Sequence, residues 1–515
     1  MDARVESLGD DWKPFGRPPF NDPAMRRLTR VGVVDIGSNS VRLVIFDGAA
    51  RSPAYFFNEK ILASLGAGLT ETGRLNPTGR RRAVRAIRRF QLLADSLGVS
   101  PLTVIATAAV READDGPEFR EEVREATGLT LYVIPGAEEA RLAAQGVLLG
   151  WPDASGMVCD IGGSSMELAE LISGRVGGRA TSLLGPLRLV EIASARAREN
   201  YIRDTIAEAA AEVGANQDRL YLVGGSWRAI ARLDMERRGY PLHVLHEYRM
   251  THGSIHNTVK WIADHPLCEL RSRTGISETR MSLVPLAGEV LRGLVRELRP
   301  REIAISSYGL REGLLYERMP DELRRRDPLI EACRFAEAKD ARMPGFGRAL
   351  HKFVSPLFRT VPSNRTRIIK AACLLHDVNW RAHPDYRHEA CFDYISRASL
   401  GGLTHKARIF LGLALLHRYR NSRANTRFTP LVELLDATEI HQAEVLGKAM
   451  RFGSMLAAGD ADAMGELRLR PKKKVLELHL PKRSADLFGE VAEARFHALT
   501  DALGVRPSVI APGQG

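Results

Sequence analysis

Two hydrophobic periods divide this chain. Up to about residue 315, short apolar runs alternate with amphipathic stretches, and from about Asp321 the helical period takes over. Val31-Gly-Val-Val-Asp35-Ile-Gly37 reads as a buried strand running into a glycine turn, and Val41–Phe46 as the next strand of a hairpin. Val84, Ile87, Phe90, Ala94 and Leu97 then share one helical face, with Thr78 as the expected cap. Leu102–Thr107 and Leu131–Ile134 read as further strands, the second closed by Pro135-Gly136. Helices are expected through Phe119 and from Glu138 toward Leu149. Gly156–Gly163 repeats the opening pattern, and Leu220–Ser226 is a third version that lacks the aspartate. Alternating strands and helices predict an α/β first half, followed by a mainly helical region. Val475–Leu480 alternates like a strand and marks a small α+β end.

Length and composition narrow this picture. At 515 residues about three domains are expected. The pattern places an arm at 1–30, two α/β segments at 31–135 and 136–318, a helical domain at 319–465 and a subdomain at 466–515. Apolar residues at 44% and charged residues at 26% exclude global disorder. Lysine and arginine number 74 against 62 acidic residues, a net +12, which favours an anionic partner: nucleic acid, membrane surface or a phosphate-rich molecule. The five cysteines form no C-x-x-C pair, so neither a zinc ribbon nor a disulfide framework is indicated, and a reducing cytoplasm is the expected compartment. No secretory leader and no membrane-spanning run is expected. Arg80, Arg81, Arg82, Arg85, Arg88 and Arg89 read as a solvated helix face, and Lys472–Lys474 as a basic turn.

The chemistry is carried by a repeated turn. Asp35-Ile-Gly-Ser-Asn-Ser40 and Asp160-Ile-Gly-Gly-Ser-Ser165 each end a buried strand, and each is followed two residues later by a charged side chain, Arg42 or Glu167. Glycine after a strand lets the backbone turn sharply, and successive N–H groups in such a turn make a concavity for phosphate oxygens. Ser and Asn add donors. An aspartate at the strand end is too negative to hold phosphate and instead orients a metal ion or a water. A single turn of this kind is ordinary; two copies about 125 residues apart point to a duplicated phosphate clamp.

Paired Asp-x-Gly turns with a later Gly-Gly turn resemble the actin-like ATPase and sugar kinase superfamily, in which two ribonuclease-H-like lobes flank a phosphate cleft. Ala106-Thr-Ala-Ala-Val-Arg111, Glu138-Glu-Ala-Arg141 and Ser307-Tyr-Gly-Leu-Arg-Glu-Gly313 narrow the resemblance. Together with both turns they look like the exopolyphosphatase/guanosine pentaphosphatase (Ppx/GppA) family over residues 30–315. That resemblance implies Glu139 as catalytic base and phosphate binding by Gly37, Ser38, Asn39, Ser40, Arg42, Arg111, Gly162, Gly163, Ser164 and Ser165. It further implies Mg²⁺ or water positioning at Asp160 and Glu167, with Asp35 a further candidate. The implied activity is release of orthophosphate from inorganic polyphosphate. The alternatives are guanosine pentaphosphate hydrolysis, a dual activity, or a regulatory protein that senses polyphosphate or an alarmone such as guanosine tetraphosphate without turnover. A homodimer is implied too, and no specific nucleic-acid partner. Asp115 stands where members of the family usually have asparagine, Ser164 where many have glycine, and Trp227 bears weakly against a nucleotide pocket.

In the second half, Ala371-Ala-Cys-Leu-Leu-His376-Asp377 resembles the signature of HD-type metal phosphohydrolases, with His388 and His417 downstream. Phe346 stands where an upstream histidine ligand is expected, and Asp436 and Asp460 compete for the terminal aspartate. So incomplete a ligand set predicts an HD-like domain in which His376 and Asp377 are structural.

Overall fold

The computed structural model describes residues 30–47, 51–214, 218–457 and 460–511. The arm expected at 1–30 lies outside these residues, apart from Arg30. The described residues up to Pro328 form one compact unit and those from Leu329 another.

The first unit holds two sheets of the same design. In the first, β1 (Val31–Ile36) pairs antiparallel with β2 (Ser40–Phe46), and β2 with β3 (Tyr55–Leu62). β1 also runs parallel to β4 (Leu102–Ala106), and β4 to β5 (Leu131–Val133), giving the order β3-β2-β1-β4-β5. Between β3 and β4, helix α1 (Pro77–Ser96) buries Ala83, Ile87, Phe90 and Ala94 in the lobe's core. Its cap is Asn76, whose Oδ1 accepts from Gly79 N at 2.8 Å, with Pro77 at the first helical position. The expected cap, Thr78, is therefore inside the helix. Arg81, Arg82, Arg85, Arg88 and Arg89 are exposed, whereas Arg80 pairs with Asp115 and Glu122. Two short helices, α2 (Ala108–Glu112) and α3 (Gly116–Thr127), follow β4, and α4 (Gly136–Gly150) follows β5.

The second sheet repeats the plan. β6 (Gly156–Ile161), β7 (Met166–Ile172) and β8 (Arg175–Ser182) form the antiparallel meander. Helices α5 (Pro186–Leu189) and α6 (Ala195–Val213) lead to β9 (Arg219–Val223), which runs parallel to β6. Next come α7 (Gly225–Arg237), the two-residue β10 (Arg249–Met250), α8 (His252–Ala263) and α9 (Val284–Leu298). β11 (Glu302–Ile305) completes the order β10-β11-β9-β6-β7-β8, and α10 (Leu310–Glu317) follows it. α10 lies directly on α4: a methyl group at Gly313 would fall 1.8 Å from the Leu142 carbonyl oxygen, so only glycine admits this approach. Trp227 is fully buried among the apolar residues of this lobe, which makes it a core aromatic and removes it from any argument about a nucleotide pocket.

The second unit is mainly helical. α11 (Phe346–Val354), α12 (Ser363–Leu374), α13 (Arg387–Arg397), α14 (His405–Tyr419) and α15 (Ala437–Ala457) make its body, with α14 buried over most of its length. A small sheet, β12 (Glu466–Arg470), β13 (Val475–His479) and β14 (Arg506–Ile510), closes the chain together with α16 (Glu490–Leu503). All five cysteines are unpaired. Among the described residues no helix is long and apolar enough to cross a membrane.

Candidate active site

The two Asp-Ile-Gly turns have the same geometry. After β1, Gly37 N donates to Ser40 O at 3.0 Å; after β6, Gly162 N donates to Ser165 O at 2.9 Å. The strand register matches as well, since Asp35 faces Arg42 across the first hairpin and Asp160 faces Glu167 across the second. The turns meet: Ser38 Oγ lies 3.3 Å from Ser164 Oγ. Ser164 thus contributes its hydroxyl to the junction between lobes. A second tie crosses nearby, Arg188 on α5 to Glu112 on α2 at 2.7 Å. Around this junction lies a cavity of about 490 Å³ lined by Gly37, Ser38, Asn39 and Ser40 from one lobe and Gly162, Gly163 and Ser164 from the other. Ser165, Arg42 and Arg111 are outside that lining. Ser165 is buried and its hydroxyl bonds Glu167. Arg42 Nε donates to Asn58 Oδ1 at 2.7 Å.

Four carboxylates converge behind the turns. Glu139 sits in the first turn of α4 at 8% exposure, and Arg111 Nη1 donates to its Oε2 at 3.0 Å and to Ile134 O at 2.9 Å. Arg111 lies on α2, and its partner is Glu139 rather than the neighbouring Glu112 or Asp114. Burial pushes Glu139 up to about 7 against the pull of Arg111, with Asp160 and Asp35 adding repulsion. Asp160 is raised to about 6, by burial first and then by Asp35, with Arg228 opposing. Asp35 is raised by burial, against Arg311 and Arg42. Glu167, at 1% exposure, is raised well above the carboxylate range by burial and by Glu139 and Asp160, and its Oε2 has no hydrogen-bond partner. A buried, unpartnered carboxylate oxygen beside three mutually repelling carboxylates is a poor arrangement for the free protein and a good one for a cation. Hard oxygen donors suit Mg²⁺, which takes one or two carboxylates and fills its shell with water and phosphate. Among the described residues no group of three or more His, Cys, Asp or Glu is placed to hold a metal ion.

Four cations complete the cleft that residue patterns did not single out. Arg311 Nη1, within the Ser307–Gly313 motif, reaches Asp35 Oδ2 at 3.4 Å. Arg228, directly after the Gly-Gly-Ser-Trp turn, donates to Ser306 O at 3.3 Å. Lys60 on β3 and Arg280 line the cavity. Arg280 lies so close to the backbone that a methyl at Gly225 would fall 1.6 Å from its Nη1. These cations repel one another. Burial lowers Arg42, Lys60, Arg228 and Arg280 below their ordinary values, and neighbouring guanidinium groups lower each further. A signal existed for Arg311 and Arg228, which adjoin motifs. None existed for Lys60 and Arg280, which stand alone in sequence. Asp115, the departure from the family's asparagine, is buried and accepts from Leu75 N at 2.9 Å and Arg80 Nη1 at 3.1 Å, a wholly structural set of partners.

The His376–Asp377 pair in the second unit is arranged differently. Arg342 donates to Asp377 through Nη2 at 2.7 Å, Nε at 2.8 Å and its backbone N at 3.2 Å. A guanidinium therefore occupies the carboxylate that a metal would need. His376 Nδ1 bonds Cys373 O at 2.9 Å, and the Phe346 ring packs 5.3 Å from the imidazole. Burial, with Arg418 adding to it, pushes His376 down to about 4, so it is neutral at pH 7. His388 Nε2 lies 3.1 Å from Arg420 Nη1. His417 is likewise lowered to about 4 by burial.

Known proteins resemble this chain. The model of the Ppx/GppA phosphatase family matches residues 44–322, and that of the exopolyphosphatase C-terminal region matches residues 341–510. Retrograde regulation protein 2 of Saccharomyces cerevisiae is 25% identical over 468 residues, 81% of this chain and 77% of that protein. Exopolyphosphatase 1 of Mycobacterium tuberculosis is 24% identical over 307 residues, 57% of this chain and 89% of that protein. The crystal structure of an exopolyphosphatase from Cytophaga hutchinsonii matches with a TM-score of 0.52 at 23% identity, covering 56% of this chain and 98% of that one. At that identity the likeness bears on fold alone, and it agrees with the duplicated lobes of the actin-like ATPase fold.

Proposed function

The chain belongs to the Ppx/GppA phosphatase family, and from that premise we propose that it is an exopolyphosphatase, hydrolysing the terminal phosphoanhydride bond of inorganic polyphosphate to release orthophosphate. The observation that carries this reading is the juxtaposition of two glycine turns across one cavity, lined also by Lys60 and Arg280, with Glu139 raised to about 7 and Arg42, Arg228 and Arg311 in the surrounding network of charges. Turn N–H groups and serine hydroxyls hold the terminal phosphoryl oxygens. Ionised Glu139 orients a water for in-line attack on phosphorus and takes its proton, while Arg111 fixes the carboxylate. The P–O bond to the next phosphate breaks, and the shortened chain leaves with its charge spread over the cations. Asp160 and Glu167, with Asp35 nearby, would hold a Mg²⁺ ion, which when bound supplies charge neutralisation at the phosphate oxygens.

Guanosine pentaphosphate is the competing substrate within the same family. The relative that spans most of this chain is named a regulatory protein, which favours a second reading, polyphosphate or alarmone sensing without turnover. Orthophosphate release by the wild-type protein from defined polyphosphate and from guanosine pentaphosphate, in parallel, separates these readings. Preferential release from polyphosphate is the expected result. Release from the nucleotide alone, or binding of either with no release, would contradict the proposal.

A further inference from the structure

The second lobe carries another basic concavity, away from the turns. Helices α6, α8 and α9 enclose a groove of about 1120 Å³, and none of its lining residues lines the cleft cavity. Arg292, Arg296 and Arg299 follow one another along the end of α9, while Arg196 faces them from the start of α6. At 1.5 Å per residue the α9 row extends about 10 Å. The two acidic residues of the groove are already engaged, Glu289 by Arg198 at 3.1 Å and Glu199 by Arg296 at 2.8 Å. Arg196, Arg292 and Arg299 are exposed and form no ion pair with a described residue. His256 adds an imidazole, while His252 Nε2 is bonded to Pro300 O at 2.7 Å; the N-termini of α6 and α8 open on the groove with positive dipole ends, and the α9 arginines offset the negative C-terminal end of their own helix.

We propose that this groove is a second binding site for a phosphate chain, holding the distal part of a long polyphosphate whose end occupies the cleft. This rests on the exopolyphosphatase reading for its choice of ligand. The groove's chemistry selects that ligand over single-stranded nucleic acid. Its lining contains no Phe, Tyr or Trp on which bases could stack; beside aliphatic residues and the two engaged glutamates it offers guanidinium and imidazole groups that read charge. A long chain engaging both sites binds more tightly than a short one by the effective-concentration effect, with no change in chemistry at the cleft.

The test is equilibrium binding of long-chain polyphosphate and of tripolyphosphate to wild type and to the double variant Arg292→Glu/Arg299→Glu, over a series of salt concentrations. The variant is expected to bind the long chain about tenfold or more weakly and with a shallower salt dependence, because fewer counterions are released. Its affinity for tripolyphosphate is expected to stay within about twofold, since exposed charges are screened over about 10 Å. The pair Arg292→Lys/Arg299→Lys keeps the charge and is expected to retain long-chain binding. Unchanged long-chain affinity in the glutamate variant, or an equal loss for both ligands, overturns the groove. So does loss of single-stranded nucleic-acid binding with polyphosphate binding intact. Orthophosphate release is measured alongside: selective loss of long-chain binding in a protein that never releases phosphate keeps the groove and removes the exopolyphosphatase reading. Normal release with unchanged long-chain binding does the reverse.

Discussion

Two places in this chain look catalytic, and their polar groups are in opposite states. In the cleft, carboxylates repel carboxylates, guanidinium groups repel guanidinium groups, and Glu167 Oε2 lacks a hydrogen-bond partner. At His376–Asp377 the aspartate takes three hydrogen bonds from Arg342, and a phenyl ring packs on the histidine. Polar groups satisfied by the protein itself serve the fold, whereas buried polar groups left in conflict are resolved by a ligand. On the proposed function, the conflict of charges in the cleft marks the working site better than the presence of a recognisable motif does.

That contrast can be broken by exchanging equivalent side chains. Asp160→Asn is expected to lower kcat/KM for polyphosphate by about 100-fold or more, the size of a lost charge-positioning group. Asp377→Asn is expected to leave it within about twofold, because its partner is Arg342 and not substrate. Stability reverses the order: Asp377→Ala, which strands Arg342, should cost about 2–3 kcal/mol in a denaturant titration of the second unit, discounted for the half-exposed guanidinium. If Asp377→Asn abolishes turnover in a folded protein, the contrast fails.

The two sites also titrate in opposite directions. Glu139 is raised from 4.5 to about 7 on folding, so the folded state holds its proton more tightly and stability is lost as pH rises between those values. His376 falls from 6.5 to about 4, so stability is lost as pH falls through that window. Thermal melts of wild type against Glu139→Gln and His376→Phe should each flatten one slope and leave the other. At the small end, Ser164→Gly removes the 3.3 Å contact to Ser38. Its effect on kcat/KM is expected to be about threefold or less, as for one neutral hydrogen bond.

Much of the fold was legible because its signals are local. A buried strand, an aspartate and a glycine turn lie within eight residues, and their repetition in the sequence marks the duplicated lobe. Lys60 and Arg280 were not legible. They lie 220 residues apart in sequence and become neighbours of the turns only when both lobes have folded. Asn76 rather than Thr78 is the cap because Pro77 takes the first helical position, so the helix starts two residues earlier than Thr78 as cap implies. The second unit's ligand set was recognisably incomplete from Phe346, yet Arg342 as the group that takes up Asp377 left no mark in the sequence.

The most direct test of the central claim is the pH dependence of orthophosphate release from polyphosphate by wild type and Glu139→Gln. The wild-type kcat/KM should rise as pH increases through about 7, where Glu139 ionises. Glu139→Gln should fall by about 1,000-fold and lose that rise, while Arg111 and the turns remain in place. A glutamine variant that keeps the wild-type rate, or that keeps the same pH rise, would contradict Glu139 as the base and the cleft's carboxylates as the working site.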